Sequence, residues 1–372
     1  MRVVVLGSYA PSLINFRGQL IADMVRAGHS VTGCAPGSDD AVANALAERG
    51  AAYEAVPLQR TGLNPLVDAR SVLALARVLR RLRPDLLFAY TSKPVIYGTI
   101  AARLARVPRV FALISGLGYA FTGSGELARR LTRQVTSLLY RASLRAADGI
   151  FFQNPDDLAE FRRRAIVSDR QKLFRVDGSG VDTTHFRCSP PPLEPPTFLL
   201  IARLLRDKGI YEYVAAARRL RARYPEARFR LLGPTDSNPA AVPSRDLEAW
   251  RAEGVIEYLP ETRDVRPHLA ASTAYVLPSY REGMPRTVLE AMATGRAIIT
   301  TDAPGCRETV IPGDNGFLVP VGDAAALADA MERLIVEPDL ARAFGARSRA
   351  IAEERFDVRR INAEMLRAMG LA

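Results

Sequence analysis

Two carboxylates, Glu282 and Glu290, stand eight residues apart in Pro278-Ser-Tyr-Arg-Glu-Gly-Met-Pro-Arg-Thr-Val-Leu-Glu290. Ahead of them Ala274-Tyr-Val-Leu277 has strand character, and behind them Thr287–Ala293 reads as a helix closed by Gly295. Gly283 and Pro285 therefore fall in a sharp strand-to-helix turn. Pro285 suits a first helical position, where its missing N–H costs nothing. The unpaired N–H groups of Arg286, Thr287 and Val288 then face the mouth of the strand, a setting that binds a diphosphate. Glu282 in the loop and Glu290 one turn into the helix can accept hydrogen bonds from hydroxyls on opposite sides of that diphosphate. Sugar, diphosphate and ribose in a nucleotide sugar have this layout. Two of forty acidic residues at this spacing are also a common coincidence, and the pair alone leaves that reading open.

A second group lies in Ala202-Arg-Leu-Leu-Arg-Asp-Lys-Gly209, directly after the apolar run Thr197–Ile201. Arg203 and Lys208, at a strand's carboxyl end, can neutralise a departing diphosphate. A solvated loop with ordinary ion pairs competes with that reading. Cys34, Cys188 and Cys306 are few and scattered, as are His29, His185 and His268. They suggest neither a disulfide framework nor a metal cluster, and a reducing cytoplasm is the simplest compartment.

These side chains need elements to hold them. The first half alternates strands at Val3–Leu6, Ser30–Cys34, Tyr53–Val56, Leu86–Tyr90, Val110–Ile114 and Gly149–Phe152 with helices at Gly18–Ala27, Ala41–Glu48, Arg70–Arg83, Gly98–Arg106 and Glu126–Ala147. After the Pro-rich segment 188–197 the alternation restarts, with strands at Thr197–Ile201, Arg228–Leu232, Val255–Leu259, Ala274–Leu277 and Ala297–Thr301. Helices are expected at Gly209–Ala222, Ala324–Val336, Pro338–Arg355 and Val358–Met369. Such alternation is an α/β pattern, two doubly wound parallel sheets covered on both faces. Ligands of such sheets bind beyond the carboxyl ends of strands, where the loops Gly7–Gly18, Thr91–Pro94 and Ser115–Gly125 also fall. The Pro-rich segment reads as a stiff linker.

Charge is unevenly divided. Residues 1–150 hold 19 Lys and Arg against 9 Asp and Glu, a net of +10, whereas residues 151–372 hold 32 against 31, a net of +1. An anionic partner on the first half follows. Nucleic acid and an anionic membrane surface are the candidates, and nucleic acid is the weaker because no binding module or aromatic–basic interleaving is evident. No apolar run approaches the length of about 18 residues needed to span a bilayer. In the helix 126–147, Leu127, Leu131, Val135, Leu138, Leu139 and Ala142 share one expected apolar face, with Arg129, Arg130 and Arg133 opposite. That face packs inward in the ordinary reading and lies on a membrane in the sharper one.

Together these residues resemble the family 4 glycosyltransferases, two-domain enzymes of GT-B architecture that use nucleotide sugars with retention of anomeric configuration. The likeness spans the chain. Glu282-Gly-Met-Pro-Arg-Thr-Val-Leu-Glu290 looks like the family's paired-glutamate signature, Ala202–Gly209 like its diphosphate loop, and Gly180-Val-Asp182 with Phe186 like the segment before its linker. The resemblance implies two Rossmann-like domains facing across a cleft: 1–187, which binds acceptor; a linker, 188–197; and 198–356, which binds donor. A final helix, 357–372, would cross back onto the first domain. Arg203 and Lys208 would hold the diphosphate and Glu282 the donor sugar, with Gly283, Met284 and Pro285 pressing backbone against it. Glu290 would take the ribose, and the loops at Gly233 and at Pro260 to Thr262 would flank the base.

Asn15-Phe-Arg17, Thr91-Ser-Lys93 and Phe111–Gly118 are similar to a bacterial branch that lengthens polyprenyl-diphosphate-linked saccharides. That implies a UDP-N-acetylhexosamine donor and a place on the inner face of the cytoplasmic membrane. Asn15, Arg17, Lys93, Gly116 and Gly118 would meet the acceptor, and the basic helices 70–83 and 126–147 would meet lipid. Some relatives carry histidines where this chain has Tyr90 and the stretch Ser115–Gly118. No Asp-x-Asp pattern is evident, so metal independence is expected. A UDP-hexose donor with another acceptor and a UDP-sugar epimerase remain as alternatives; the epimerase would need acid and base groups facing the sugar from the first domain. A non-catalytic binding module fits less well, given the diphosphate and ribose groups. A dinucleotide oxidoreductase is disfavoured because Gly7-Ser-Tyr-Ala-Pro lacks the Gly-x-Gly-x-x-Gly pattern.

Overall fold

Runs of four to seven residues, mostly buried except in the edge strand β3, build the first sheet: β1 (Arg2–Leu6), β2 (Ser30–Pro36), β3 (Ala52–Val56), β4 (Leu86–Tyr90), β5 (Arg109–Ile114) and β6 (Gly149–Phe152), with the shorter β7 (Leu173–Arg175) at the other edge. The computed structural model describes residues 1–58, 65–116, 127–192, 194–236, 238 and 240–372. All seven strands are parallel, in the order β3-β2-β1-β4-β5-β6-β7. Alternate residues of β1 face opposite layers, as the period of two requires. Val3 and Val5 join a core with Leu20, Ile21 and Met24 of the helix Gly18–Arg26. Val4 and Leu6 join one with Leu75, Leu79, Ala101 and Leu144, from the helices Pro65–Leu82, Thr99–Leu104 and Leu127–Leu144.

The second sheet repeats the plan with β8 (Thr197–Ile201), β9 (Arg228–Leu232), β10 (Glu257–Leu259), β11 (Ala274–Leu277), β12 (Ala297–Thr301) and β13 (Gly316–Val319). Its order is β10-β9-β8-β11-β12-β13, again parallel. Phe198 and Leu200 pack toward Ile210, Val214 and Leu327, and Leu199 and Ile201 toward Val288, Leu289 and Ile351. In both sheets the strand order reverses beside the strand that comes first in sequence, between β1 and β4 and between β8 and β11. A crevice at the carboxyl ends of strands follows from such a reversal.

Two units emerge: Met1–Ser179 with Arg359–Ala372, and Gly180–Val358. The division falls before residues 180–187, because Val181 bridges Asp357 and exchanges backbone hydrogen bonds with Phe356 and Val358. The Pro-rich segment lies along the second unit. Arg296, fully buried, donates to the carbonyls of Ser272 and Thr294 and to Ser189. The helix Val358–Met369 places Ile361, Met365, Leu366 and Met369 in the core of the first unit, where Asn362 donates to Asp23 at 2.6 Å.

One expected face is only partly the buried one. In the helix Leu127–Leu144, Val135 and Leu138 are 46% and 61% exposed and Ala142 is exposed. Leu139 packs against the core together with buried Tyr140, Ser143 and Leu144. Tyr140 sets this orientation, its ring 5.2 Å from that of Phe161. The side chains of Leu127, Arg129, Arg130 and Leu131 lie outside the described residues, as do Gly118 and most of the loop at 115–125.

Candidate nucleotide-sugar site

Loops after β8 and β11 flank the point of strand-order reversal in the second unit, and each carries one of the sequence's charged groups. The loop after β8 makes a short turn, Arg206–Lys208, and ends at Gly209 with φ +72°. A Cβ there would stand 2.1 Å from the carbonyl oxygen of Pro278, so only glycine permits the approach of the two loops. The contact is fastened by Tyr280 N–H donating to the Asp207 carbonyl at 2.8 Å and by the Ser279 hydroxyl at 3.1 Å. This brings Lys208 Nζ to 2.5 Å from Glu282 Oε1, with the two side chains 18% and 15% exposed. Glu282 is held from behind: its N–H donates to the Pro304 carbonyl at 2.9 Å, and Gly305 (φ +81°) leaves room for its backbone.

Pro285 stands one position earlier than expected. It is the N-cap, in extended conformation, and the helix runs Arg286–Ala293. The N–H of Val288 is consequently taken by the Pro285 carbonyl at 3.0 Å, so it does not face the mouth of the strand as the sequence suggests. The Thr287 hydroxyl is 2.6 Å from Tyr275 Oη, itself 3.0 Å from the Ile201 carbonyl, so the helix start is tied to the end of β8. Gly283 and Met284 are buried within this turn. Glu290 is buried too; Arg286 Nε donates to its Oε1 at 2.8 Å. Burial pushes the Glu290 carboxyl above the usual range, and Arg286 opposes that shift.

Arg203 is half exposed and pairs with Asp236 at 3.0 Å, a partner in the loop after β9 that the sequence reading missed. Gly233 opens that loop at φ +149°, with a hypothetical Cβ 1.9 Å from the Ala202 carbonyl oxygen. Tyr258 of β10 donates to the Gly233 carbonyl at 3.0 Å, joining this loop to the one that carries exposed Pro260 and part-buried Thr262. The Thr262 hydroxyl accepts from Asp264 N–H at 3.2 Å. Behind Glu282, the buried Cys306 thiol is pushed up to about 12 by burial and then by the Glu282 charge. It is not a nucleophile at neutral pH.

In the first unit, the carboxyl ends of β1, β4 and β5 carry Asn15, Arg17, Lys93 and Gly116. Asn15 is exposed at the end of a short helix, Pro11–Asn15. Arg17 is buried, its guanidinium 5.2 Å from the Tyr90 ring centre and 5.9 Å from that of Phe88. Tyr90 meets the Ser12 hydroxyl at 2.8 Å and crosses Gly7, where any Cβ would strike its phenolic oxygen at 2.4 Å. Lys93 is only 12% exposed and reaches Asp68 at 3.0 Å, while Tyr97 donates to the other Asp68 oxygen at 2.8 Å. Neither Asp68 nor Tyr97 stood out in the sequence. Gly116 adopts φ +104°.

No group of three or more His, Cys, Asp or Glu among the described residues is placed to hold a metal ion. No helix among them is long and apolar enough to cross a membrane.

Comparison with known proteins agrees with the fold. The family described as a glycosyl transferase 4-like domain matches residues 15–177, and glycosyl transferases group 1 matches residues 195–337. The N,N'-diacetylbacillosaminyl-diphospho-undecaprenol alpha-1,3-N-acetylgalactosaminyltransferase of Campylobacter jejuni is 29% identical over 91% of each chain. Sucrose-phosphate synthase from Thermosynechococcus elongatus superposes with a TM-score of 0.81 at 21% identity, covering 99% of this chain and 98% of that one. HepE from Anabaena, in complex with UDP and glucose, gives 0.79 at 18% identity over 100% and 99%. With its two Rossmann-like sheets of GT-B type, the chain belongs to the group 1 glycosyltransferases.

Proposed function

We propose that this glycosyltransferase moves an N-acetylhexosamine from a UDP-sugar to a saccharide carried on a polyprenyl diphosphate, with retention at the anomeric carbon. The observation that carries the proposal is the pairing of Lys208 with Glu282 across the two loops at the strand-order reversal, beside the start of the helix Arg286–Ala293. An ammonium, the start of a helix and a carboxylate suit a diphosphate flanked by hydroxyls. The activity for which the Campylobacter relative is named supports the lipid-linked acceptor and the N-acetylated sugar.

In the proposed reaction the acceptor hydroxyl attacks the anomeric carbon on the face that the diphosphate leaves. The carbon–oxygen bond to phosphate breaks as the new glycosidic bond forms, and the acceptor's proton passes to the departing phosphate oxygen. Lys208 and Arg203 stabilise the charge that grows there. Glu282 orients the sugar, and Glu290 takes the ribose hydroxyls. Asn15, Arg17, Lys93, Gly116 and Gly118 are assigned to the acceptor, and the cationic work falls to arginine and lysine, independent of metal. The basic first unit would rest on the anionic inner face of the cytoplasmic membrane.

UDP release from a panel of UDP-hexoses and UDP-N-acetylhexosamines, with and without a polyprenyl-diphosphate-linked acceptor, tests this reading. Release that depends on the lipid acceptor and prefers an N-acetylhexosamine supports it. Acceptor-dependent release from UDP-glucose, the sugar pairing suggested by the Anabaena complex with UDP and glucose, would replace the donor. Turnover of UDP-sugar without any acceptor would point instead to an epimerase. Failure to sediment with anionic liposomes at low salt would remove the membrane assignment.

A further inference from the structure

At the amino-terminal edge of the first sheet, a cavity of about 340 Å³ is lined by Arg2, Arg80, Arg83 and Arg106, with Asp85 the one carboxylate among its lining residues. We propose that this arginine cavity binds a phosphate group. It stands at the opposite end of the strands from the loops carrying Arg17 and Lys93. That separation is roughly 15–20 Å for strands of about five residues, so the site is independent of the transfer reaction proposed above.

Arg83 and Arg106 each follow the last turn of a helix, after Pro65–Leu82 and Thr99–Leu104, and take φ +47° and +58°. Glycine ordinarily fills this position after a helix, because a side chain there is strained. Among the described residues only four non-glycine residues have positive φ, and two of them are these arginines on one cavity. Backbone strain held at a charged, exposed residue points to a use for its side chain.

Their lack of carboxylate partners points the same way. Some arginines of this unit pair with carboxylates, as Arg26 does with Asp23 and Arg81 with Glu54, and others are engaged by carbonyls, as Arg49 is by Ala45 and Arg141 by Arg164. Among the described residues no carboxylate lies within ion-pair distance of Arg80, Arg83 or Arg106. Asp85 is engaged by Arg2, whose N–H donates to it at 2.7 Å; that bond holds the carboxyl below the usual range, so it is ionised. Complementing a helix's negative end accounts for Arg80, which donates to the Leu104 carbonyl at 2.9 Å. It does not account for two strained arginines beyond those ends. A net of three positive charges around one concavity is a setting for phosphate oxygens, which guanidinium groups bind through paired N–H donors.

The phosphate can be soluble or part of a lipid headgroup, and one pair of substitutions examines both. Glycine relieves the backbone at both positions, so Arg83→Gly/Arg106→Gly keeps or raises the melting temperature while removing two cations. Titration calorimetry with sodium pyrophosphate, run on wild type, the double variant and Lys208→Ala, is paired with co-sedimentation on phosphatidylglycerol and phosphatidylcholine vesicles. Pyrophosphate binding weakened about tenfold or more in the double variant and retained in Lys208→Ala establishes a soluble phosphate ligand. Unchanged pyrophosphate binding with loss of phosphatidylglycerol sedimentation establishes a headgroup phosphate. If the double variant matches wild type in both assays, the proposal is wrong and the arginines serve only the helix ends.

Discussion

Lys208 and Glu282 bind one another across 2.5 Å, and each would have to share that bond with a ligand. The pair is partly shielded from water, so its donors and acceptors interact more strongly than they would on an open surface. Lys208→Ala is expected to lower kcat by about 10²-fold or more, the scale on which single stabilising donors act, with a shift in Tm of only a few degrees. Parallel collapse of activity and Tm would instead make Lys208 a structural residue. Glu290 predicts a pH effect. Its folded-state carboxyl lies above the unfolded value, so its contribution to stability is fully present below the unfolded value and is lost as pH rises through the folded one. Binding runs oppositely, because ribose hydroxyls need the ionised form. UDP affinity should therefore weaken on acidification while an ordinary glutamate would still be ionised, and calorimetry on Glu290→Gln should show weak binding without that dependence.

Elements place these residues in part through glycine, and Gly233 and Gly254 separate the two costs of replacing one. At Gly233 a side chain would meet both a disfavoured φ and the Ala202 carbonyl oxygen. At Gly254, φ is +69° with nothing within 4 Å of a Cβ. Urea denaturation should show a loss of about 1 kcal/mol for Gly254→Ala, the backbone term alone, and about 3 kcal/mol or more for Gly233→Ala, which adds a backbone collision. Much of this level was legible in the sequence. The strands Leu86–Tyr90, Gly149–Phe152, Thr197–Ile201, Arg228–Leu232, Ala274–Leu277 and Ala297–Thr301 have the expected bounds, because buried apolar runs end sharply at Gly, Pro and polar loops. The loops bearing Arg203, Lys208 and Glu282 follow from those strand ends. Less legible were features that depend on a distant neighbour. Tyr140 packing on Phe161 rotates the helix Leu127–Leu144 away from its apparent apolar face. Asp68 meets Lys93 only once the helix Pro65–Leu82 is docked beside β4. Asp236 likewise reaches Arg203 only when β8 and β9 are paired.

For the molecule as a whole, the division of the chain matters more than either sheet. Arg296 secures the Pro-rich segment to the second unit with no carboxylate partner among the described residues, and burial lowers its pKa to about 10. Arg296→Met should cost about 2–4 kcal/mol in a thermal melt by stranding the carbonyls of Ser272, Ser189 and Thr294; a silent substitution would show the segment to be held by other means. Removal of residues 359–372 would strip Ile361, Met365, Leu366 and Met369 from the first unit, worth about 2 kcal/mol each at most. Hydrogen exchange should then quicken in residues 1–179 and stay near wild type in 180–358. The same discontinuity bears on how the protein is made. Synthesis delivers the first unit's opening 179 residues early and its last helix only after the entire second unit has been translated. The second unit can close while its predecessor still waits for a piece. During that interval the apolar seat for Ile361 and Met365 stands open on the nascent chain. A ribosome that stalls inside the second unit leaves it uncovered, available to chaperones and proteases.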